Sequence, residues 1–137
     1  SGALESGDAR YSTNLRRSVV ACREAVPLLL ACPGAGIVNV GALAAQKAAA
    51  GMGAYSASKA GVARLTEALA DELKDRGVRV NAVCPSILDT PANRADMPDA
   101  DTTRWVSPQS LAAVIAFLLS DDASAITGAC IPVAGRV

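Results

Sequence analysis

The sequence contains no histidine, and its 137 residues include only one tryptophan, two tyrosines and one phenylalanine. Without histidine the Ser-His-Asp and Cys-His arrangements of covalent hydrolases are excluded. Acid/base chemistry near neutral pH then falls to tyrosine, lysine or carboxylates in altered surroundings. Nor is one sign of charge in excess, since 13 basic and 13 acidic side chains cancel. No Lys/Arg cluster lies beside interleaved aromatics, so neither nucleic acid nor an anionic membrane is an expected partner, and a small neutral or weakly charged molecule fits better. No apolar run approaches the roughly 20 residues that span a bilayer. The opening "SGALESGDAR" lacks the basic-then-apolar order of a signal peptide, and a cytoplasmic protein is expected. Cys22, Cys32, Cys84 and Cys130 are widely spaced, with no CxxC and no histidine to complete a zinc set. They read as reduced thiols, and no metal site is expected.

Hydrophobic residues make up 51% of the chain, ample for the core of one domain. From Asn14, the residues Leu15, Val19, Cys22, Val26 and Leu29 recur at steps of four and three, an amphipathic helix ended by Cys32, Pro33 and Gly34. "IVNV" at 37–40 is short, β-branched and bounded by glycine, which suits a buried strand. A small-residue loop over 41–53 leads to a second helix over 55–76, with Val62, Leu65, Leu69 and Leu73 on one face and Gly77 placed to end it. "VRVNAV" at 78–83 is the next strand. The stretch 84–107 is rich in Pro, Asp, Asn and Thr and long enough to be a functional loop or lid. Ser107 and Pro108 then cap and open a third helix, whose Leu111, Val114, Ile115, Leu118 and Leu119 supply a buried face. A last strand covers 129–133. Helices alternating with strands imply parallel crossover units in one α/β structure.

Two further absences qualify that fold. Doubly wound sheets bind dinucleotides through a glycine-rich turn after the first strand, and neither GxGxxG nor GxxxxGK[ST] occurs. Three strands also make a narrow sheet with an exposed edge, which natural domains avoid. The chain therefore reads as part of a domain.

"GMGAYSASKAG", residues 51–61, places Tyr55 four residues before Lys59, on one face of a helix near its start. A neighbouring cation and the positive end of the helix dipole both favour the phenolate form, which suits Tyr55 to pass a proton while a hydride moves at an adjacent atom. As a bare pattern YxxxK is weak; its context is not. "IVNVGALAA", "YSASKAGVARLTEALADEL" and "GVRVNAVCPSILDTP" resemble, in order and spacing, the C-terminal part of the short-chain dehydrogenase/reductase family. The likeness covers essentially the whole chain. It implies a Rossmann-type doubly wound parallel sheet of which 1–137 is the C-terminal portion, with the first βαβ unit absent.

By that resemblance Tyr55 is the proton donor and acceptor, and Lys59 favours its phenolate and holds the nicotinamide ribose. Asn14 matches the asparagine that orders a water beside the lysine, while its position equally suits a residue that starts a helix. Pro85, Leu88 and Thr90 match the loop that meets the carboxamide of NAD or NADP. Read from the residues alone, Pro85 ends a strand and Thr90 caps a turn. Ser86 stands where the family has glycine. Ala42 stands where it has its serine, and alanine cannot hydrogen-bond a substrate carbonyl. Dihydropteridine reductase also lacks that serine, and "ILDTPANRADMPDADTTRW" resembles that subgroup.

The resemblance therefore implies a fragment of an NAD(P)-dependent oxidoreductase acting on a carbonyl or pterin-like substrate, assembled as a homodimer or homotetramer through its two long helices. The fragment alone is expected to be inactive, to bind cofactor poorly and to self-associate through 15–30 and 62–73. The alternative is a non-catalytic relative or dimerising module; a nucleotide-sugar epimerase fits less well, because little sequence remains for a substrate domain.

Overall fold

The computed structural model describes residues 7–137; the opening residues read above for a targeting signal lie outside this range, as far as Glu5 and Ser6. Among the described residues helical structure is already present at Gly7, earlier than the apolar spacing predicts. A single turn, α1 (Gly7–Arg10), runs into a π-helical segment, Tyr11–Arg16, and then into α2 (Arg17–Leu29). Strand β1 (Gly36–Val40) follows, then α3 (Gly53–Leu73), β2 (Arg79–Pro85), the short α4 (Pro91–Asp96), α5 (Pro108–Leu119) and β3 (Cys130–Val133).

The three strands form one parallel sheet in the order β1-β2-β3. Alternation along the strands divides the core in two. Ile37 and Val80 face α2 and α3 in a cluster with Val26, Leu29, Ala70, Leu73 and Val78. Val38, Val83, Ile131 and Val133 face α5 with Leu111, Val114, Ile115 and Leu118. With helices on both faces and all strands parallel, this is the Rossmann-like α/β layering expected. Every residue of the central strand β2 is buried, while the outer strand β1 leaves Val40 44% exposed.

The end signals work as the sequence suggests. Ser107 accepts a hydrogen bond from the Ser110 backbone N–H at 3.1 Å, Pro108 opens α5, and Gly77 takes the left-handed conformation (φ 75°) just past the short 3-10 turn Lys74–Arg76. Three expectations are corrected. The stretch 84–107 is not an open loop: it contains α4, a 3-10 turn at Thr102–Arg104 and a parallel bridge between Leu88 and Val106. The buried stripe of α3 runs through Ser56, Ser58, Val62, Thr66, Ala70 and Leu73, with Leu65 and Leu69 only half-buried. Small residues win that face because they bring the helix backbone close to the sheet. Val19 and Leu119, assigned to buried faces, are exposed.

The asparagines that interrupt "IVNV" and "VRVNAV" hold the layers together. Buried Asn39 donates to the Thr66 hydroxyl at 3.0 Å, and that hydroxyl donates to Val62 O at 2.8 Å. Asn81 donates to Ile126 O at 2.9 Å and accepts from the Ala129 N–H at 3.0 Å. Buried polar groups satisfied on both sides fix layer spacing in a way that apolar contacts alone do not.

Candidate active site

Strands β1 and β2 end side by side, and the turns that leave them carry the candidate site, where open α/β sheets place ligands. Val40 closes β1, and Ala42 follows Gly41 into the turn. Pro85 closes β2, ahead of Ser86. Helix α3 starts above these strand ends and sets Tyr55 in its first turn. A cleft of about 530 Å³ is bounded by Ala42, Leu43, Met52, Tyr55, Pro85 and Ile87, with Ser86, Asn93, Met97 and Val137 completing its rim. Tyr55, Ala42 and Pro85, far apart in sequence, thus share one space. Its walls are mainly apolar.

Lys59 lies one helical turn beyond Tyr55 and donates from Nζ to Val40 O at 3.0 Å. It borders a neighbouring cavity of about 490 Å³ together with Ala42, Gln46, Arg64, Cys84 and Cys130. Ala42, itself 7% exposed, is therefore the wall between the two spaces. Burial lowers the Lys59 ammonium from the ordinary lysine value of 10.5, while the charge of Cys84 pulls the other way. Cys84 is pushed up by burial, against the Ala42 backbone N–H and the Lys59 charge. All four cysteines are free thiols; Cys22 and Cys84 are buried, and Cys32 is exposed.

The lowered lysine value carries a stability consequence with a definite sign. The unfolded chain holds this proton to higher pH than the folded chain does. Stability therefore rises with pH between the folded value and 10.5. Against Lys59→Met, which has no such proton, wild type is expected to gain relative stability across that window. Urea unfolding at a series of pH values tests this, and a pH-independent difference contradicts it.

The remaining sequence candidates are placed as follows. Asn14 sits in the π-helical segment and donates from Nδ2 to the Ser58 hydroxyl at 3.0 Å, and Ser58 donates to Tyr55 O at 2.8 Å. The Asn14 carbonyl accepts from the Ser18 hydroxyl at 2.9 Å. Asn14 thus reaches the tyrosine's helix rather than Lys59 directly. Thr90 caps α4 by accepting from the Asn93 N–H at 3.2 Å, and Leu88 packs into the α5-side cluster while its carbonyl accepts from Asn93 Nδ2 at 2.8 Å. Neither borders the 530 Å³ cleft. Asn93, Met97 and Met52 do, and sequence reasoning missed them; the first two ride on α4 and its exit, within a stretch whose Pro and Asp content masked a helix.

The family profile described as Enoyl-(Acyl carrier protein) reductase matches residues 3–135. A probable short-chain type dehydrogenase/reductase of Bradyrhizobium diazoefficiens is 34% identical, over 93% of this chain and 49% of that protein. The cyclohexanol dehydrogenase of an Acinetobacter strain is 38% identical, over 92% of this chain and 52% of that protein. Among solved structures, the NADPH-bound short chain oxidoreductase of Pseudomonas aeruginosa PAO1, described as containing an atypical catalytic center, superposes with TM-score 0.86 at 26% identity, over 97% of this chain and 57% of that one. A 4-hydroxyisoleucine dehydrogenase complexed with NADH superposes with TM-score 0.79 at 28% identity, over 91% of this chain and 56% of that one. The chain spans about half the length of the curated relatives it matches. By its residues, its fold and these likenesses, the chain belongs to the short-chain dehydrogenase/reductase family.

Proposed function

We propose that this chain is the C-terminal part of a single NAD(P)-binding domain, in a reductase that moves a hydride between a nicotinamide cofactor and a carbonyl or pterin-like substrate. The observation that carries the reading is the meeting of Tyr55, Ala42 and Pro85 around one apolar cleft at the strand ends, with Lys59 a helical turn away. The residues present fit the nicotinamide end of such a cofactor: Lys59 offers an ammonium beside the ends of the strands, Pro85 walls the cleft, and Leu88 and Thr90 shape the turn beyond it. The nicotinamide, when bound, supplies the hydride.

Tyr55 supplies the proton. Its hydroxyl donates to the substrate oxygen or nitrogen as charge develops there and is reprotonated between turnovers. Ala42 offers that atom no hydrogen bond, and Ser86 and Asn93 on the rim donate to Ala134 O and Leu88 O, so Tyr55 is the principal donor to the reacting atom. Charge unsupported by a second donor is tolerated best where conjugation spreads it, which favours a quinonoid or heteroaromatic ring over a saturated ketone. The apolar walls suit a flat, neutral molecule. The subgroup reading, nearest to dihydropteridine reductase, follows the same logic.

The test is oxidation of NADH and of NADPH by the full-length protein across quinonoid pterins, quinones and small saturated ketones. Turnover favouring the conjugated substrates is expected; turnover of saturated ketones alone contradicts the reading. Because Ala42 borders two cavities, Ala42→Ser has room for its hydroxyl. We expect the substitution to raise turnover of a saturated cyclic ketone by about tenfold or more, with a smaller change on a quinonoid substrate. Equal gains on both, or none, would contradict the role given to position 42.

Association as a homodimer or homotetramer through the two long helices belongs to the same proposal. It is supported by Leu28, 72% exposed on α2, and by exposed Val19 on the same helix. A cytoplasmic location is supported by the free thiols. Among the described residues no helix is long and apolar enough to cross a membrane. A non-catalytic, dimerising relative is the second reading, favoured by Ala42 alone; cofactor binding without turnover of any of these substrates would establish it.

A further inference from the structure

The helical stretch 7–29 meets α3 through a series of paired positions that climb both helices together. The Arg10 guanidinium carbon lies over the Tyr55 ring, 5.4 Å from its centroid. One step on, Asn14 donates to the Ser58 hydroxyl. One further step on, Leu15 approaches Gly61 so closely that a Cβ there would stand 2.8 Å from Leu15 Cδ2. Positions 10, 14 and 15 thus meet 55, 58 and 61 in ascending order along both helices. The first pair differs from the others because it grips the side chain assigned to proton transfer, not the helix that carries it.

We propose that Arg10 is a positioning residue for Tyr55. The inference rests on the reductase reading given above. A guanidinium over an aromatic face is attracted by the ring quadrupole, and its planar group covers more of the ring than a compact ammonium does. Tyr55 is only half-buried and borders an open cleft, so its ring has space to leave the rotamer that points its hydroxyl at the substrate. Arg10 narrows that freedom. Its position four residues before Asn14 sets ring and helix from one element: Arg10 restrains the phenol, and the Asn14-Ser58 bond restrains the turn of backbone on which the phenol stands.

The test combines kinetics with a readout that does not need turnover. In the full-length protein Arg10→Ala is expected to lower kcat about two- to fivefold, as loss of an exposed cation–π contact implies, with KM little changed. Arg10→Lys keeps the cation and recovers much of the loss. Arg10→Met keeps the stem without the charge and behaves like alanine. Because residues 1–137 contain only two tyrosines, Tyr11 and Tyr55, incorporation of 3-fluorotyrosine into a Tyr11→Phe background leaves one fluorine resonance from this part of the protein. That resonance is expected to move in Arg10→Ala and to move less in Arg10→Lys. An unmoved resonance overturns the contact. A moved resonance with unchanged kcat overturns the positioning role, as does a loss that appears in KM alone. Wild-type protein with no turnover defeats the reductase reading instead, and the fluorine resonance then still decides whether Arg10 holds the ring.

Discussion

Tyr55→Phe is expected to lower kcat for hydride transfer by about 10²- to 10⁴-fold, the span typical of a lost general acid. The substitution removes one oxygen and leaves the ring, so the cleft keeps its wall and the Arg10 contact keeps its partner. Binding should therefore survive where turnover does not, and the loss should appear in kcat more than in KM. The effect is large here for a particular reason. Ala42 provides no second hydrogen bond to the reacting atom, and the Ser86 hydroxyl on the rim is held by Ala134 O, so no free hydroxyl stands in for Tyr55 among the residues around the cleft. Single-turnover kinetics with NADH or NADPH and a quinonoid substrate would measure it. Turnover retained within tenfold of wild type would remove Tyr55 from the chemistry and with it the proposed mechanism.

Arg79→Ala is expected to destabilise the protein by about 2 kcal/mol, among the larger effects available to one side chain. Arg79 opens β2 yet is only 9% exposed, and its guanidinium reaches across to the end of α5. It donates to Leu118 O, to Ala123 O at 3.0 Å and to Ser120 O at 3.1 Å. Leu118 O is among the carbonyls that the end of α5 leaves without an intrahelical partner, while Ser120 O and Ala123 O also accept from the backbone N–H groups of Ala123 and Ile126; the positive charge also suits the negative end of the helix dipole. Removing the fork strands the Leu118 carbonyl, worth about 1–3 kcal/mol if left buried, and takes one of two donors from Ser120 O and Ala123 O, with water recovering part of the loss. Arg79→Lys should fall between, because one ammonium cannot reproduce the planar fork. Urea unfolding decides the matter, and a loss below about 1 kcal/mol would mean that the exit of α5 is held by its apolar contacts alone.

Much of this was legible in the sequence where local chemistry and global fold agree. Ser107-Pro108 and Gly77 each announce a helix end by a mechanism that needs no tertiary information, and the alternation of helices with β-branched runs leads directly to parallel crossovers. The spacing of Tyr55 and Lys59 put them a turn apart near the start of one helix, and α3 holds them so; their chemical roles belong to the proposal. What stayed hidden depends on neighbours distant in sequence. The exposure of Val19 follows from the orientation of the first helix, which its own periodicity does not set. Thr66 and Ala70 displace Leu65 and Leu69 from the buried face because the approach of α3 to the sheet decides that face, and Asn39 waits there for a hydroxyl. Arg79 reads as an ordinary charge at the head of a strand until the end of α5, some forty residues on, arrives beside it. Asn14 suited two roles; its bond to Ser58 became visible only once the helices were paired.

The seven buried residues of β2, which end at Pro85, and the six-residue α4 both border the cleft, and they differ in how they can move. Amide protons in β2 sit between two paired strands under helices on both faces, so their exchange with solvent requires opening of the whole sheet. Those of α4 answer to a single helical turn, one Thr90 cap and the exposed ion pair between Arg94 and Asp89. The cleft therefore has a floor whose motion is tied to global unfolding and one wall whose motion is local. Asn93 and Met97 can therefore shift by local opening of α4 while Pro85 stays fixed, so the shape of the cleft can change without cost to the stability of the fold.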